Sequence, residues 1–407
     1  MSPKPADIAM VPMPPAGRGH PEVRFPIDRS IITLFALSNM FCTMNLYFCQ
    51  SLLVELSNEF GVDHQGIARI PTLVQAGCAA GLLLLMPLAQ TVPRRLLLLV
   101  VFLLSILSTI GLAITTSFLM FQLFSFLVGA SSFIPQILVP MTAEFSEPQK
   151  RPLAILSVFS GVLLGPPLAR AFAGAVAYHS NFRNVYWMAA GGQYVIWTLL
   201  YFYCPDTSKR EHTTGTYSEA LRSTVNLAFA EPILIQSCLI SVASSATFSS
   251  SWAILPFLLD GTPHNRDALA IGAFGLIGLS GVYSALFVGR HIEKLLPAMV
   301  TILSTIGIVI SQTIQLSFGG DSIVTIAFVT ACLDIAWHAQ QVSLAASVYG
   351  ISTEAKARLH TILLISLCLG QAAGTSIGVK IFTLYGWRGA ALLNLAWAAW
   401  QLLAFLL

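Results

Sequence analysis

The residue best equipped for chemistry in this 407-residue chain is a carboxylate buried in an apolar run. Asp334 lies within VTACLDIAWHAQQVS (329–343), followed by Trp337, His338 and Gln341 at i+3, i+4 and i+7. On a helix those four share one face. An acid with an imidazole one turn away is suited to taking up and releasing a proton. An ionised carboxylate in hydrocarbon costs about 3 kcal/mol unless it faces a cavity or a partner. Two readings follow: a proton-coupling site, or a structural Asp hydrogen-bonded to a neighbouring helix.

Arg170, in GVLLGPPLARAFAG (161–174), is the second charge inside an apolar run. It either pairs with an acid across the bundle, binds an anionic substrate, or is a packing cation satisfied by backbone carbonyls. With Gly161, Gly165 and Pro166 just before it, the position points to an interface between halves of the molecule. Lys380 is nearer the end of its run, where its stem snorkels to the headgroups. The run SVASSATFSSSW (241–252), which includes Ser249 and Trp252, has two readings. Its hydroxyls bond their own i−4 carbonyls and leave small packing surfaces, or they line a polar vestibule. Gln122 and Gln136 are weaker polar candidates. The sets Gly77/Gly81, Gly161/Gly165, Gly278/Gly281 and Gly370/Gly374/Gly378 have two readings: close, sliding helix contact, as a moving seam needs, or ordinary static packing. Glu144 stands within reach of Arg94 and Arg95, where a charge pair would latch an inner gate.

The elements that carry these residues are apolar runs. Hydrophobic residues make up 56% of the chain and charged ones 10%, against about 25% charged in soluble proteins. Hydrocarbon offers the backbone no hydrogen-bond partner, so a run of about 20 apolar residues reads as a membrane-spanning helix. Twelve such runs are expected, at 31–54, 67–89, 96–116, 118–142, 153–178, 185–204, 233–257, 270–289, 296–317, 322–349, 359–383 and 389–407. With the N-terminus in the cytoplasm, fifteen Lys and Arg fall on the cytoplasmic side, and only Arg69, Arg183, Arg266 and Arg388 on the other. That bias places both termini in the cytoplasm, with the plasma membrane as the default location. Residues 1–29 are Pro-rich and polar, and read as a disordered tail. The seven cysteines show no pairing pattern and read as small packing residues.

A polar stretch at 205–232 reads as a linker ending in a surface-lying helix. It separates an N-terminal bundle (30–204) from a C-terminal one (233–407). The halves also echo each other: GLLLLMPLAQTVPRRL (81–96) matches GVYSALFVGRHIEKLL (281–296), and NFRNVYW (181–187) matches YGWRGAA (385–391). Internal repetition about a central linker is a common transporter plan, with the substrate site between the repeats.

On NLYFCQSLLVELSNEFGV (45–62), PLAQTVPRR (87–95), PQILVPMTAEFSEPQKR (135–151), GVLLGPPLARAFAG (161–174) and LYGWRGAALL (384–393), the chain resembles the major facilitator superfamily. It is closest in pattern to bacterial-type drug-efflux-like facilitators, the drug:proton antiporters. The resemblance covers about residues 30–407. It implies an all-α polytopic membrane protein, twelve transmembrane helices in two six-helix bundles around one cavity, with alternating access by rocking. It also implies that the first, fourth, seventh and tenth spans line the cavity, which brings in Asn45 and, more loosely, Gln50. Three motifs depart from the family pattern. Gln90 and Pro93 stand where an Asp and a Gly are usual, Ser125 where an Arg is usual, and Ala169 and Arg170 where the antiporter-associated motif closes on glycines.

Among function classes, there is no HExxH pair, no nucleophile elbow and no P-loop in the sequence, so neither an enzyme nor an ATP-driven pump is expected. No cofactor and no metal are expected. The expected partners are a small-molecule substrate, protons and the lipid bilayer, with no nucleic acid, for a chain acting as a monomer. A largely apolar cavity with one acid suits proton-coupled efflux of an amphipathic organic molecule. Proton-coupled uptake of a small nutrient is the alternative.

Overall fold

The computed structural model describes residues 29–147, 149–205, 217–292, 296–320, 322–352 and 355–406. The tail at 1–28 and the linker segment 206–216 lie outside the described residues. Because each crossing must satisfy its own backbone, the described chain is helical throughout. The first span is Arg29–Ser51, prolonged by a short helix Leu53–Phe60 that ends on Gly61 at φ 61°. Asp63 then caps His64–Ile67 by accepting from the Gly66 N–H at 3.0 Å, and the second span follows as Arg69–Leu84. The third is Arg94–Ile114, and the fourth is Phe118–Ala130 with Pro135–Phe145. Pro135 lacks an N–H, and the Ser131 and Ser132 hydroxyls bond Val128 O, so the fourth span bends between its two parts. The fifth and sixth spans are Arg151–His179 and Arg183–Tyr203.

After the linker helix Tyr217–Ala230 come the seventh span, Pro232–Asp260, and an eighth made of Ala268–Phe274, a 3₁₀ turn at Gly275–Gly278 and Leu279–His291. The ninth and tenth are Pro297–Phe318 and Ile323–Tyr349. Lys356–Phe405 holds the eleventh and twelfth, broken at Gly386 (φ 67°, ψ −168°). A short connection was expected at 384–388; one left-handed glycine makes the break instead. Among the described residues, ten helices are long and apolar enough to cross a membrane. The 50-residue helix supplies two crossings, and Arg183–Tyr203, of 21 residues, completes the twelve.

The two bundles pair their spans in the same way. The first packs on the fifth, the second on the fourth and the third on the sixth; correspondingly the seventh packs on the eleventh, the eighth on the tenth and the ninth on the twelfth. The second with the eleventh, and the fifth with the eighth, join the halves.

Two expectations are corrected by this packing. Gly161 and Gly165 do not face the seam between halves: a Cβ there would lie 2.0 Å from Ala36 O and 2.7 Å from Thr43 Cβ of the first span. Gly77 and Gly81 likewise meet the fourth span, and Gly370, Gly374 and Gly378 the seventh. These glycines bring helices together inside each bundle. Asn45 does not line a cavity either. Its Nδ2 donates to Ser105 Oγ (3.1 Å) and Thr109 Oγ1 (3.0 Å), and Ser105 donates to Gln193 Oε1 (3.1 Å), which ties the first, third and sixth spans. The C-terminal bundle repeats this clamp on the equivalent spans, with Asn394 Nδ2 donating to Ser251 Oγ (3.1 Å) and Gln312 Oε1 (3.0 Å). Finally, Glu144 pairs with Arg94 at 2.8 Å, while Arg95 donates to Tyr201 O at 2.7 Å. The expected pair thus forms, and all four residues belong to the N-terminal bundle, so these two contacts fasten one half to itself.

Candidate functional site

The site forms where the fifth and eighth spans cross the seam. Arg170 lies nine residues before the end of the fifth span, and Asp334 eleven residues after the start of the tenth. At 1.5 Å per residue both sit ~13–17 Å below the face away from the chain termini, close to the middle of the membrane. Arg170 is 2% exposed and Asp334 fully buried. Gln50, one turn beyond Tyr47 on the first span, accepts from Arg170 Nε through its Oε1 at 2.9 Å. The guanidinium carbon stands 3.6 Å from the ring centre of Trp252, 5.3 Å from that of Tyr47 and 5.9 Å from that of Phe248. A cation over a desolvated indole face is held by about 2 kcal/mol. Trp252 uses its other handle on the acid, donating from Nε1 to Asp334 Oδ1 at 2.8 Å.

Trp252 thus stands between two opposite charges from different bundles. Among the described residues, Arg170 and Asp334 make no ion pair within 4.0 Å, and Arg170 Nη2 and Asp334 Oδ2 have no hydrogen-bond partner. The 3₁₀ turn keeps the gap open. A Cβ on Gly278 would lie 3.1 Å from Asp334 Oδ2 and 3.6 Å from Arg170 Nη1, so the two groups are within the sum of those distances. At ~6 Å and an effective dielectric of ~20, their attraction is roughly 3 kcal/mol. A Cβ at Gly275 would come 2.4 Å from Arg170 Cβ, so only glycine lets the arginine pass.

Around this core the tenth and seventh spans interlock. Trp337 stacks on Phe248 (4.0 Å between centroids, 16° between planes) and donates to Ser245 Oγ at 3.4 Å. Gln341 donates to Ser244 Oγ at 3.1 Å. His338 shares the helix face with Asp334, as expected, but its Nδ1 meets the Asp334 backbone carbonyl at 2.9 Å and not the carboxylate. Its ring fills the space over Gly281. Ser249 pairs with Thr375 of the eleventh span and stands outside the cluster. In the serine run Thr247 bonds its own i−4 carbonyl, while Ser241, Ser244 and Ser245 are buried and bond tenth-span side chains, so here they join two helices and line no vestibule.

Sequence reasoning did not assign Tyr47, Phe248, Gly275 or Gln371 to the site. Tyr47 donates to Gln371 Oε1 at 3.3 Å, joining the first span to the eleventh. The usable signal was the three-residue glycine spacing of GAFGLIG (272–278), which marks a helix face that something approaches closely. On the face away from the termini, the halves close over the cluster. Gly174 meets Gly272 backbone to backbone, and His64 of the second span's lead-in helix stacks on Phe257 (4.2 Å, 20°).

Comparison with known proteins supports the same architecture. The chain is 29% identical over 366 residues to the putative uncharacterized transporter YgaY of Escherichia coli strain K12, covering 90% of this chain and 92% of that one. Its fold matches the nucleoside transporter NupG with a TM-score of 0.72 at 12% identity, over 93% of this chain and 98% of that chain. It also matches a bacterial homologue of the human lysosomal transporter Spinster, in an inward-facing and occupied conformation, with a TM-score of 0.70 at 12% identity. That match covers 93% of this chain and 95% of that chain. The Major Facilitator Superfamily model matches residues 35–352, and with twelve helices in two like bundles about a charged seam the chain belongs to that family of membrane transporters.

Proposed function

We propose that the protein exports a small amphipathic organic molecule in exchange for protons, by alternating access, with Asp334 as the coupling acid. The observation that carries this is a fully buried carboxylate with one oxygen unpartnered, held through Trp252 against the arginine of the opposite half. While Asp334 is ionised, its attraction to Arg170 favours the arrangement closed away from the termini. A proton on Oδ2 removes that attraction, and a cargo group donating to it weakens it; either lets this side part. Competition of proton and cargo for one carboxylate gives exchange. The aromatic walls of Tyr47, Phe248, Trp252 and Trp337 suit a flat apolar body, and the surplus of Lys and Arg on the termini's side supports a cytoplasmic position for that side.

The unpartnered Arg170 Nη2 favours a second reading, in which an organic acid binds Arg170 as Asp334 takes a proton, and both enter the cell. Reconstitution in vesicles with an imposed pH gradient separates the two by the direction of cargo movement relative to protons. In either case Asp334→Asn should abolish gradient-driven transport while leaving cargo exchange at equal pH. Undiminished gradient-driven transport in that variant would remove Asp334 from the coupling step.

A further inference from the structure

The linker helix Tyr217–Ala230 is fixed unequally to the two halves. Leu227 and Ala228 pack into the apolar cluster of Leu234, Val348 and Leu359, and Arg358 donates from Nη1 to Ser223 Oγ, all on the C-terminal bundle. Tyr217 reaches across to the other half, donating from its hydroxyl to Leu84 O at the end of the second span (2.8 Å). Between this helix and the start of the eleventh span lies a cleft of about 530 Å³, lined by one helix face from Glu219 to Ala230 and by Arg358. It holds two arginines, Arg222 and Arg358, against one acid, Glu219. Arg222 is exposed, and no side-chain hydrogen bond from it is seen among the described residues.

Beside that basic cleft runs an apolar edge. Val225, Phe229 and Ile233 are 43%, 78% and 52% exposed; Arg222, Val225 and Phe229 recur at helical spacing on the linker helix, and Ile233 lies in the first turn of the membrane-spanning seventh helix, just past the extended Glu231. A free phosphate compound in the cleft would leave Phe229, 78% exposed, against water. An acyl chain following Ile233 out of the bilayer would cover it, with its phosphate level with the arginines.

We propose that this cleft binds the phosphate of an anionic phospholipid through Arg222 and Arg358, with an acyl chain along Val225, Phe229 and Ile233. The lipid then holds the linker helix to the C-terminal bundle at the membrane surface, and the Tyr217 contact is the one that yields when the halves rock.

The test uses the full-length protein in vesicles of phosphatidylcholine alone or with one-fifth phosphatidylglycerol. The readouts are the lipid retained after detergent extraction, by native mass spectrometry, and amide exchange of residues 217–230. Wild type should retain phosphatidylglycerol over phosphatidylcholine and exchange more slowly only when it is present. Each basic residue near an anionic surface contributes about a fivefold change in affinity, so Arg222→Gln and Arg358→Gln should each reduce retention by about that factor. Arg222→Gln breaks no hydrogen bond in the described structure and tests the site without disturbing the fold. Equal retention of both lipids, or undiminished retention by Arg222→Gln, overturns the proposal. So does equal slowing by glycerol 3-phosphate dissolved over phosphatidylcholine vesicles, which makes the cleft a site for free phosphate compounds.

Discussion

A methyl group on Gly272 should push the protein out of the conformation described here. A Cβ on Gly272 would stand 2.7 Å from Gly174 Cα and 3.0 Å from Arg170 O, both backbone atoms of the opposite half. Ordinary carbon contacts lie near 3.5–4.0 Å, so the fifth and eighth spans must separate by roughly 1 Å. Overpacking of this kind costs about 1–3 kcal/mol. Alanine also raises helix propensity, but that gain applies whether the seam is open or closed and cancels from the equilibrium between them. The clash exists only in the closed seam, so Gly272→Ala should shift the population toward opening on that side by about 5- to 150-fold. The control is Gly161→Ala, whose Cβ would lie 2.0 Å from Ala36 O within one bundle. It should lower stability without moving the equilibrium. Spin labels at the exposed positions Thr116 and Arg266, one on each half, in a chain freed of native cysteines, report the separation on that side. An unchanged distance distribution in Gly272→Ala, or an equal shift in Gly161→Ala, would refute the assignment of the seam.

Two further outcomes follow from the hydrogen bonds. Trp252→Phe keeps an aromatic face over Arg170 but removes the donor to Asp334, worth about 1.5–3 kcal/mol to a charged group, whereas Trp252→Ala removes both. Transport rates should fall in the order wild type, Phe, Ala, and equal rates for the two variants would show that the indole N–H is idle. Asn45→Ala and Asn394→Ala should each destabilise the protein by about 1–3 kcal/mol, since buried partners lose their donor, while KM for the cargo stays unchanged. A raised KM with unchanged melting temperature would return Asn45 to the cavity wall.

The crossings were legible in the sequence because hydrocarbon imposes one rule on every residue of a span, and a run of twenty records it. The charged members of the site were legible for the same reason, as exceptions to that rule: Asp334 and Arg170 stand out in apolar surroundings wherever their side chains point. Which groups they meet was not legible. A helix face is defined by neighbours three and four residues away, but Arg170 meets Gln50 and Trp252, 120 and 82 residues distant. Asn45 shows the limit most plainly. An amide in a span that lines the cavity looks like cavity lining until its rotation about the helix axis is known, and here it turns toward Ser105 and Gln193. The glycines misled similarly, because close approach needs small residues both inside a bundle and between bundles. Among the described residues, Gly174, Gly272, Gly275 and Gly278 serve the latter.

The twice-repeated clamp has a consequence for how such a chain can diverge. Each clamp closes within its own bundle, Asn45 with Ser105 and Thr109 in one, Asn394 with Ser251 and Gln312 in the other, while the amide that meets the opposite half is a different one, Gln371 with Tyr47. Heritable change at the seam therefore leaves the integrity of the halves intact. If the aromatic walls around Arg170 and Asp334 hold the cargo, as proposed, a lineage can exchange them for a new cargo while inheriting both clamps.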